Sequence, residues 1–445
     1  MAAKSPLPSH LPGKLSICYW GWDWLTAVQS GEAYENLDRV IRETKERGFN
    51  CIRPDMGLGL IHDTQGRLRG NIRFRAHFPG ANSNLQCVNT RGGAEYDVRR
   101  RIFQLMELAD KHDLYVIGTT WLYQDFIGDV DHEDIRREVM GVPYNDRIPL
   151  LMKWWDLILR EIKQQGLLHR FAFVELINEM DCTPSIWPRE DEEKPTYEDL
   201  FNEKVVPFPS EWLRRLTGEA LAGLRQKYPE LMFTVDLASA NGLAGNLPDN
   251  AQIADHHLYH DSVTQGIFRT AEVHLNAKGF TWESGPVIVG NEVLASVLKK
   301  NTLSWNDFNR LDTWTRRLWR VTAWFYENLD NEKYDDWCRV HFPEFKETMA
   351  ENVKNGIKTA VDFAGPRGLP LVIDEGYIFY PPLNSRFIMS PEGRWGEELV
   401  ANAAINAGYW GVMPTGYFRP NTPLGWYDDG QCEWIRNLNR KILGK

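Results

Sequence analysis

The sequence predicts an α/β protein of the (β/α)8 class, a TIM barrel carrying long loop insertions. Three observations lead there. Short apolar runs recur eight times along 445 residues, and most neighbouring runs are separated by a segment with apolar residues at helical spacing. Neither a low-complexity linker nor an internal repeat divides the chain. Strands that alternate with helices pair in parallel through crossover connections. Eight such units close a barrel of about 250 residues, so the remaining length belongs to loops.

Residues 15–20 (Leu-Ser-Ile-Cys-Tyr-Trp) form the first expected strand. A helix over 33–47 follows, with Leu37, Val40 and Ile41 at helical spacing and Gly48 as its stop. The second strand, 49–53, is broken by Pro54, which cannot donate to a ladder. A long polar loop over 57–93 precedes a helix over 94–112, where Val98, Ile102, Leu105, Met106 and Ala109 share a face. Strand three is 114–118 and strand four 171–178, with an aromatic-rich helix over 147–165 between them. A helix over 210–228 leads to strand five, 231–236; strand six lies near 252–258 and strand seven at 369–375. A helix over 395–407, strand eight at 409–413 and a closing helix near 432–442 complete the count. The largest insertion, 261–368 between strands six and seven, carries helices near 305–328 and 344–362. The expected organisation is an N-terminal extension (1–13) and one barrel over 14–445.

A hydrophobic fraction of 43% and a charged fraction of 25% are those of a globular chain with ample core. The net charge of −10 argues against sequence-independent nucleic-acid binding, which relies on Lys and Arg to neutralise phosphates. No apolar run approaches the ~18–20 residues of a membrane span, and the first residues lack the apolar centre of a secretory signal. The six cysteines (18, 51, 87, 182, 338 and 432) show no ligand spacing. Cys18 and Cys51 lie in apolar runs as small buried hydrophobes. The expected setting is reducing and cytoplasmic, or secreted if a signal has been removed.

In such a barrel the functional groups lie at the C-terminal ends of the strands. Those ends offer Trp20, Trp22 and Asp23 after strand one, Arg53 and Asp55 after two, and Trp121 and Tyr123 after three. Asn178 and Glu179 follow strand four, His257 and Tyr259 strand six, Glu375 and Tyr377 strand seven; strand eight offers Trp410, Met413 and Tyr417. A buried strand that ends in Asn-Glu is conspicuous, because an unpaired ion taken from water costs several kcal/mol. Two glutamates face each other across a mouth lined with aromatics, with one Arg and one His. The 18 Trp, 16 Tyr and 20 Phe suit a cleft with flat apolar faces and polar edges, the surface a sugar ring needs. Cleavage of a glycosidic bond uses such a pair: one carboxyl protonates the leaving oxygen, and the other attacks or activates water.

These residues carry a resemblance. Val174-Glu-Leu-Ile-Asn-Glu179 resembles the Glu-x-x-Asn-Glu fourth strand of the glycoside hydrolase clan A that includes the family 5 cellulases and mannanases. Ile373-Asp-Glu-Gly-Tyr377 is similar to that clan's seventh-strand nucleophile, Arg53 to its second-strand arginine and His257-Leu-Tyr259 to its sixth-strand His-x-Tyr. The matches run from residue 53 to 377 in the expected strand order. The resemblance implies a retaining double displacement on β-linked glycosides of glucoside or mannoside type, with Glu179 as general acid/base and Glu375 as nucleophile. It implies that Asn178 holds the sugar 2-hydroxyl and that Arg53 and Tyr259 orient Glu375. His257, Trp22, Trp121, Tyr377 and Trp410 are the further candidates for substrate binding. No cofactor or metal is implied; the expected partner is an oligosaccharide or glycoside, with no nucleic acid and no membrane. The mechanism needs carboxyls about 5–5.5 Å apart. It also needs Glu179 protonated beside an ionised Glu375, whose pKa Arg53 is expected to depress. Two positions depart from the family: Thr119-Thr-Trp121-Leu-Tyr123 lacks the histidine often found there, and Trp410 and Trp426 fall before and after the usual strand-eight tryptophan.

Simpler readings stand beside these. Val287-Ile-Val-Gly-Asn-Glu292 repeats the Asn-Glu ending, but the strand count leaves it no fourth strand. Glu175 shares a face with Glu179 and sits deeper, as a structural partner for Arg53. His256, His257 and His260 could suggest a metal, yet they lack the ligand spacing of zinc sites. Trp20, Trp22 and Trp24 could pack the core, and the acidic run 190–193 could be a solvated loop. Three alternative functions remain: an exo-acting β-glycosidase on short oligosaccharides or glycoconjugates, a catalytically inactive sugar-binding barrel, and a metal-dependent hydrolase, which would require activity that a chelator removes.

Overall fold

The computed structural model describes residues 7–76, 84, 89–124, 126–182, 210–260, 263, 266–267, 292–302, 304–309, 320–377 and 382–445. Eight parallel strands make one sheet: β1 (Leu15–Gly21), β2 (Cys51–Pro54), β3 (Tyr115–Gly118), β4 (Phe171–Glu175), β5 (Phe233–Thr234), β6 (Ala254–Asp255), β7 (Leu371–Ile373) and β8 (Gly411–Val412). Their order is β5-β4-β3-β2-β1-β8-β7-β6. β1 pairs with β2 at Ile17 and Cys51 and with β8 at Leu15 and Gly411, so the first and last strands meet. The remaining seam nearly closes, because Gln252 N donates to Phe233 O (3.1 Å) and Thr234 Oγ1 to Ile253 O (2.8 Å). The result is the expected (β/α)8 barrel.

Among the described residues, seven helices have ten or more residues: α1 (Leu37–Glu46), α2 (Val98–Lys111), α3 (Tyr144–Gln164), α4 (Ser210–Lys227), α5 (Asn331–Ala364), α6 (Pro391–Asn406) and α7 (Asp429–Leu443). Their starts follow side-chain caps: Asn36, Asp97, Asp330, Ser390 and Asp428 each accept a backbone N–H at the head of α1, α2, α5, α6 and α7. α1 buries Leu37, Val40 and Ile41, and α2 buries the five residues whose spacing predicted it, together with Phe103. α3 sends Trp154 and Trp155 inward, where their indoles donate to Asp63 O (3.0 Å) and Leu176 O (3.1 Å). Such side chains contribute roughly 1.5–3 kcal/mol each on burial, and their polar edges stay satisfied. Cys18 and Cys51 are buried free thiols in β1 and β2, as their apolar runs imply.

The structure departs from expectation mainly in the loops. The stretch expected as loop contains Ile72–Arg73, which pairs antiparallel with Glu95–Tyr96. In the β6–β7 insertion, the helix expected over 305–328 is seen as Trp305–Asn309 and Arg320–Asn328, and the intervening residues lie outside the described ones. α5 begins well before residue 344 because Asp330 caps it, and it runs through Pro343. Among the described residues, no helix is long and apolar enough to cross a membrane.

Candidate active site

Arg53, the third residue of β2, is wholly buried and ties together four strand ends. Its guanidinium grips Glu175 with two hydrogen bonds (Nε–Oε1 3.1 Å, Nη2–Oε2 2.7 Å). It also meets Asp374 Oδ2 at 2.8 Å, Asp236 Oδ2 at 3.2 Å, Asn178 Oδ1 at 2.7 Å and Glu375 Oε2 at 2.9 Å. Trp121 lies against it, the ring centroid 4.8 Å from the guanidinium carbon. Burial works against this cation, but Asp374, Glu175 and Asp236 more than offset it and hold Arg53 charged. Glu175, Asp255 and Asp374 come close enough to suggest a cation site. The guanidinium, however, already occupies both oxygens of Glu175 and one of Asp374, and so stands where such an ion would. Burial, with the neighbouring acids, raises the pKa of Asp255 and Asp374 well above the carboxylate range.

Glu375 follows β7. Its Oε2 accepts from Arg53, and its Oε1 accepts from the Tyr259 hydroxyl at 2.9 Å. Tyr259 reaches it because β6 and β7 pair again beyond their main ladder, Leu258 with Gly376 and Tyr259 with Tyr377. Gly376 makes this possible: its φ is +127°, and a Cβ there would lie 2.4 Å from Leu258 O. Arg53 does pull the Glu375 pKa down, as expected, but it does not set the net direction. Burial raises it above the usual glutamate value, Glu179 adds to the rise, and the pull of His257 and Arg53 only partly offsets them.

Glu179 sits in a left-handed backbone conformation, φ 39°, that costs a non-glycine residue on the order of 1 kcal/mol or more. The end of β5 holds that turn: Asp236 Oδ2 accepts the Glu179 N–H (3.1 Å), and Met180 N donates to Asp236 O (3.1 Å). The Glu179 carboxyl meets His257 Nδ1 at 2.8 Å through Oε1 and accepts from Gln124 Nε2 at 2.6 Å through Oε2. Gln124 in turn accepts from Asn178 Nδ2 at 2.7 Å. Behind this pair, His257 Nε2 makes a close ion contact with Asp236 Oδ2, 2.7 Å, without the alignment of a good hydrogen bond. Burial lowers the His257 pKa, but Asp236, Glu375 and Glu179 together raise it well above the usual histidine value. For Asp236 the opposing forces reverse: burial raises, and His257, Arg53 and the Glu179 N–H bring its pKa to about 2.

The structure thus brings together Arg53, Asn178, Glu179, His257, Tyr259 and Glu375. One oxygen of Glu179, one of Glu375 and one nitrogen of His257 all lie within 4.8 Å of one another. His257, a candidate for substrate binding by its likeness to the sixth-strand His-x-Tyr, is wholly buried and turns both nitrogens toward carboxylates. Arg53 likewise lies beneath the carboxyls rather than at the surface. Trp410 is displaced from the site altogether. Its N–H donates to Leu371 O at the start of β7 and its indole to Pro12 O (3.0 Å), so it closes the opposite, N-terminal end of the barrel. The aromatic that strand eight supplies near Glu375 is Tyr417, which lines a small cavity with Tyr19, Tyr259 and Arg419. Trp22 and Trp121 pack on each other at 5.7 Å and are nearly enclosed, and the side chain of Tyr377 lies outside the described residues. His256 faces His257 O and Tyr409 Oη (2.9 Å each), away from Glu179, so the histidines do not converge. Glu292 is exposed at the head of a short helix; Asn291 and the run 190–193 lie outside the described residues. Sequence reasoning missed Gln124, which no motif marks, and assigned no role to Asp236, although the latter ends a visible apolar run.

The profile of the cellulase-like family, described as sugar-binding cellulase-like, matches residues 17–443. No curated protein matches the sequence. Among solved structures, a Parabacteroides distasonis protein provisionally described as a glycoside hydrolase aligns with TM-score 0.66 at 17% identity, over 97% of this chain and 94% of its own. A broad-specificity endoglucanase of glycoside hydrolase family 5, subfamily 4, from Clostridium longisporum aligns with TM-score 0.50 at 13% identity, over 98% and 99%. A second endoglucanase of that subfamily, from an uncultured bacterium, gives TM-score 0.50 at 11% identity over 96% and 94%. At such identities the likeness is one of fold.

Proposed function

The chain belongs to the sugar-binding cellulase-like family of glycoside hydrolases, and we propose that it cleaves β-linked glycosides of glucoside or mannoside type with retention of configuration. The observation that carries this reading is the approach of Glu179 and Glu375 to within 4.8 Å. A retaining pair stands about 5–5.5 Å apart, whereas an inverting pair needs about 6.5–9.5 Å to admit a water. Glu375 is the nucleophile: Arg53 and Tyr259 each hold one of its oxygens, fixing the carboxylate plane against the sugar C1. Glu179 is the acid that protonates the leaving oxygen and then the base that activates water against the glycosyl–Glu375 ester. Asn178, fixed between Arg53 and Gln124, takes the 2-hydroxyl of the sugar. Burial around Glu375 strengthens every charge interaction with the developing oxocarbenium ion.

The test is the anomer of the first product, followed by proton NMR on nitrophenyl β-glucosides and β-mannosides. Retention is expected. An inverted first product contradicts the mechanism. Glu179→Gln and Glu375→Gln should each lose at least about 100-fold in turnover with the fold intact, and full activity in either variant removes that residue from the pair.

A further inference from the structure

Asp236 is wholly buried at the end of β5, and one of its oxygens, Oδ2, serves three groups of the site at once. It faces His257 Nε2 at 2.7 Å, the Glu179 N–H at 3.1 Å and Arg53 Nη2 at 3.2 Å. A carboxylate oxygen 2.7 Å from an imidazole nitrogen, even off the line of a good hydrogen bond, requires that nitrogen to carry its hydrogen, since two lone pairs at that distance repel. Nε2 therefore carries hydrogen, and the other nitrogen, Nδ1, is left facing Glu179 Oε1 at 2.8 Å. Between Nδ1 and Oε1 a single proton can sit on either atom. We propose that Asp236 is a positioning residue for catalysis: through His257 it keeps that proton on the Glu179–His257 pair, ready for the leaving oxygen. This rests on the reading of Glu179 as the acid/base.

The step balances without another reactant. As the glycosidic C1–O bond breaks, its electron pair takes the pair's single proton from Glu179 Oε1, to which it passes from His257 Nδ1, while Glu375 bonds to C1 and Glu179 is left ionised. Asp236 keeps its charge throughout, and His257 becomes the neutral Nε2–H form. In the second half, water gives one proton to the ionised Glu179, restoring the proton it shares with His257, as the water oxygen displaces Glu375 from C1. Among the described residues, the other charged or titratable groups around the pair include Asp374 and Glu375 on the β7 side, Asp255 and His256 on the β6 side, Arg53 from β2, Tyr259 beside the ring, and Asp181 and Cys182 just after Glu179. Of these, none but Asp236 touches both the Glu179 backbone and the His257 ring in the contacts described above. The same oxygen thus fixes where the acid sits and which tautomer stands behind it, the role a buried aspartate has behind histidine in serine hydrolases.

The experiment compares Asp236→Asn with the wild type on two glycosides of the same sugar, one with a dinitrophenol leaving group and one with an alkyl alcohol. Dinitrophenol departs without an acid; an alkyl alcohol does not. The variant's amide reverses the tautomer, so kcat/KM should fall at least about 100-fold on the alkyl glycoside and less than about 10-fold on the dinitrophenyl one. The basic limb of the alkyl profile should also move to lower pH. An equal loss on both substrates, or no loss on either, overturns the proposal. A wild type that cleaves neither overturns instead the functional reading beneath it. Nitrogen-15 NMR of wild-type His257 gives a check independent of any variant's folding: Nε2 should be protonated at neutral pH, and an unprotonated Nε2 refutes the proposal.

Discussion

Replacing Tyr259 by phenylalanine removes one oxygen and leaves the ring in place. That oxygen donates to Glu375 Oε1 at 2.9 Å, opposite the Arg53 bond to Oε2. Glu375 is only 6% exposed, so bulk water is poorly placed to supply a replacement donor. A hydrogen bond to a charged group contributes about 1.5–3 kcal/mol. One pKa unit corresponds to about 1.4 kcal/mol. The donor stabilises the ionised form, so its loss raises the Glu375 pKa by about 1–2 units above a value that burial has already raised. A nucleophile must be ionised to attack. The acid limb of the kcat/KM profile should therefore move up by about 1–2 pH units in Tyr259→Phe, with the deficit growing as pH falls. The assay is a pH series on an aryl β-glycoside, with circular dichroism to show the fold is kept. An acid limb that stays in place in a folded variant refutes the claim that Tyr259 supports the ionised nucleophile.

Two further outcomes follow from the same geometry. Gln124→Leu removes the donor to Glu179 Oε2 and the acceptor for Asn178, and should lower kcat/KM by about 10- to 100-fold with the unfolding midpoint little changed; unchanged kinetics would show the amide to be incidental. His256 is buried, and its pKa is lowered from 6.5 to about 4. The unfolded chain thus binds a proton that the folded one refuses, so this stability is full above pH 6.5 and is lost as pH falls toward 4. The loss is about 3 kcal/mol. In urea unfolding, His256→Gln should narrow the stability difference between pH 7 and pH 4 by that amount, and an unaltered difference would contradict it.

The barrel was legible because buried parallel strands are near-continuous apolar runs and the helices between them keep one apolar face. The pair Glu179 and Glu375 was legible for the same reason: a charge that ends such a run must have a purpose. Trp410 shows where this reasoning stops. An apolar run locates a strand, but a bulky aromatic at its beginning lies at the opposite end of the barrel from one at its finish. Here the strand starts after Trp410, which leaves Tyr417 on the site's side. Gln124 lies in a loop with no periodicity to mark it, and its importance comes from two carboxyamide and carboxyl contacts made only when β3 and β4 lie side by side. The downward pull of Arg53 on the Glu375 pKa was legible, but the burial that outweighs it was not, because a sequence shows the arginine and not the enclosure.

The central claim is that Glu375 attacks the sugar. A 2-deoxy-2-fluoro glycoside with a dinitrophenol leaving group slows breakdown of the covalent intermediate, and peptide mass spectrometry of the inactivated protein then locates the bond. The account predicts one fluoroglycosyl group per chain, carried on the peptide containing Glu375 and absent in Glu375→Gln. A label on another carboxylate, or turnover with inversion and no label, would contradict it.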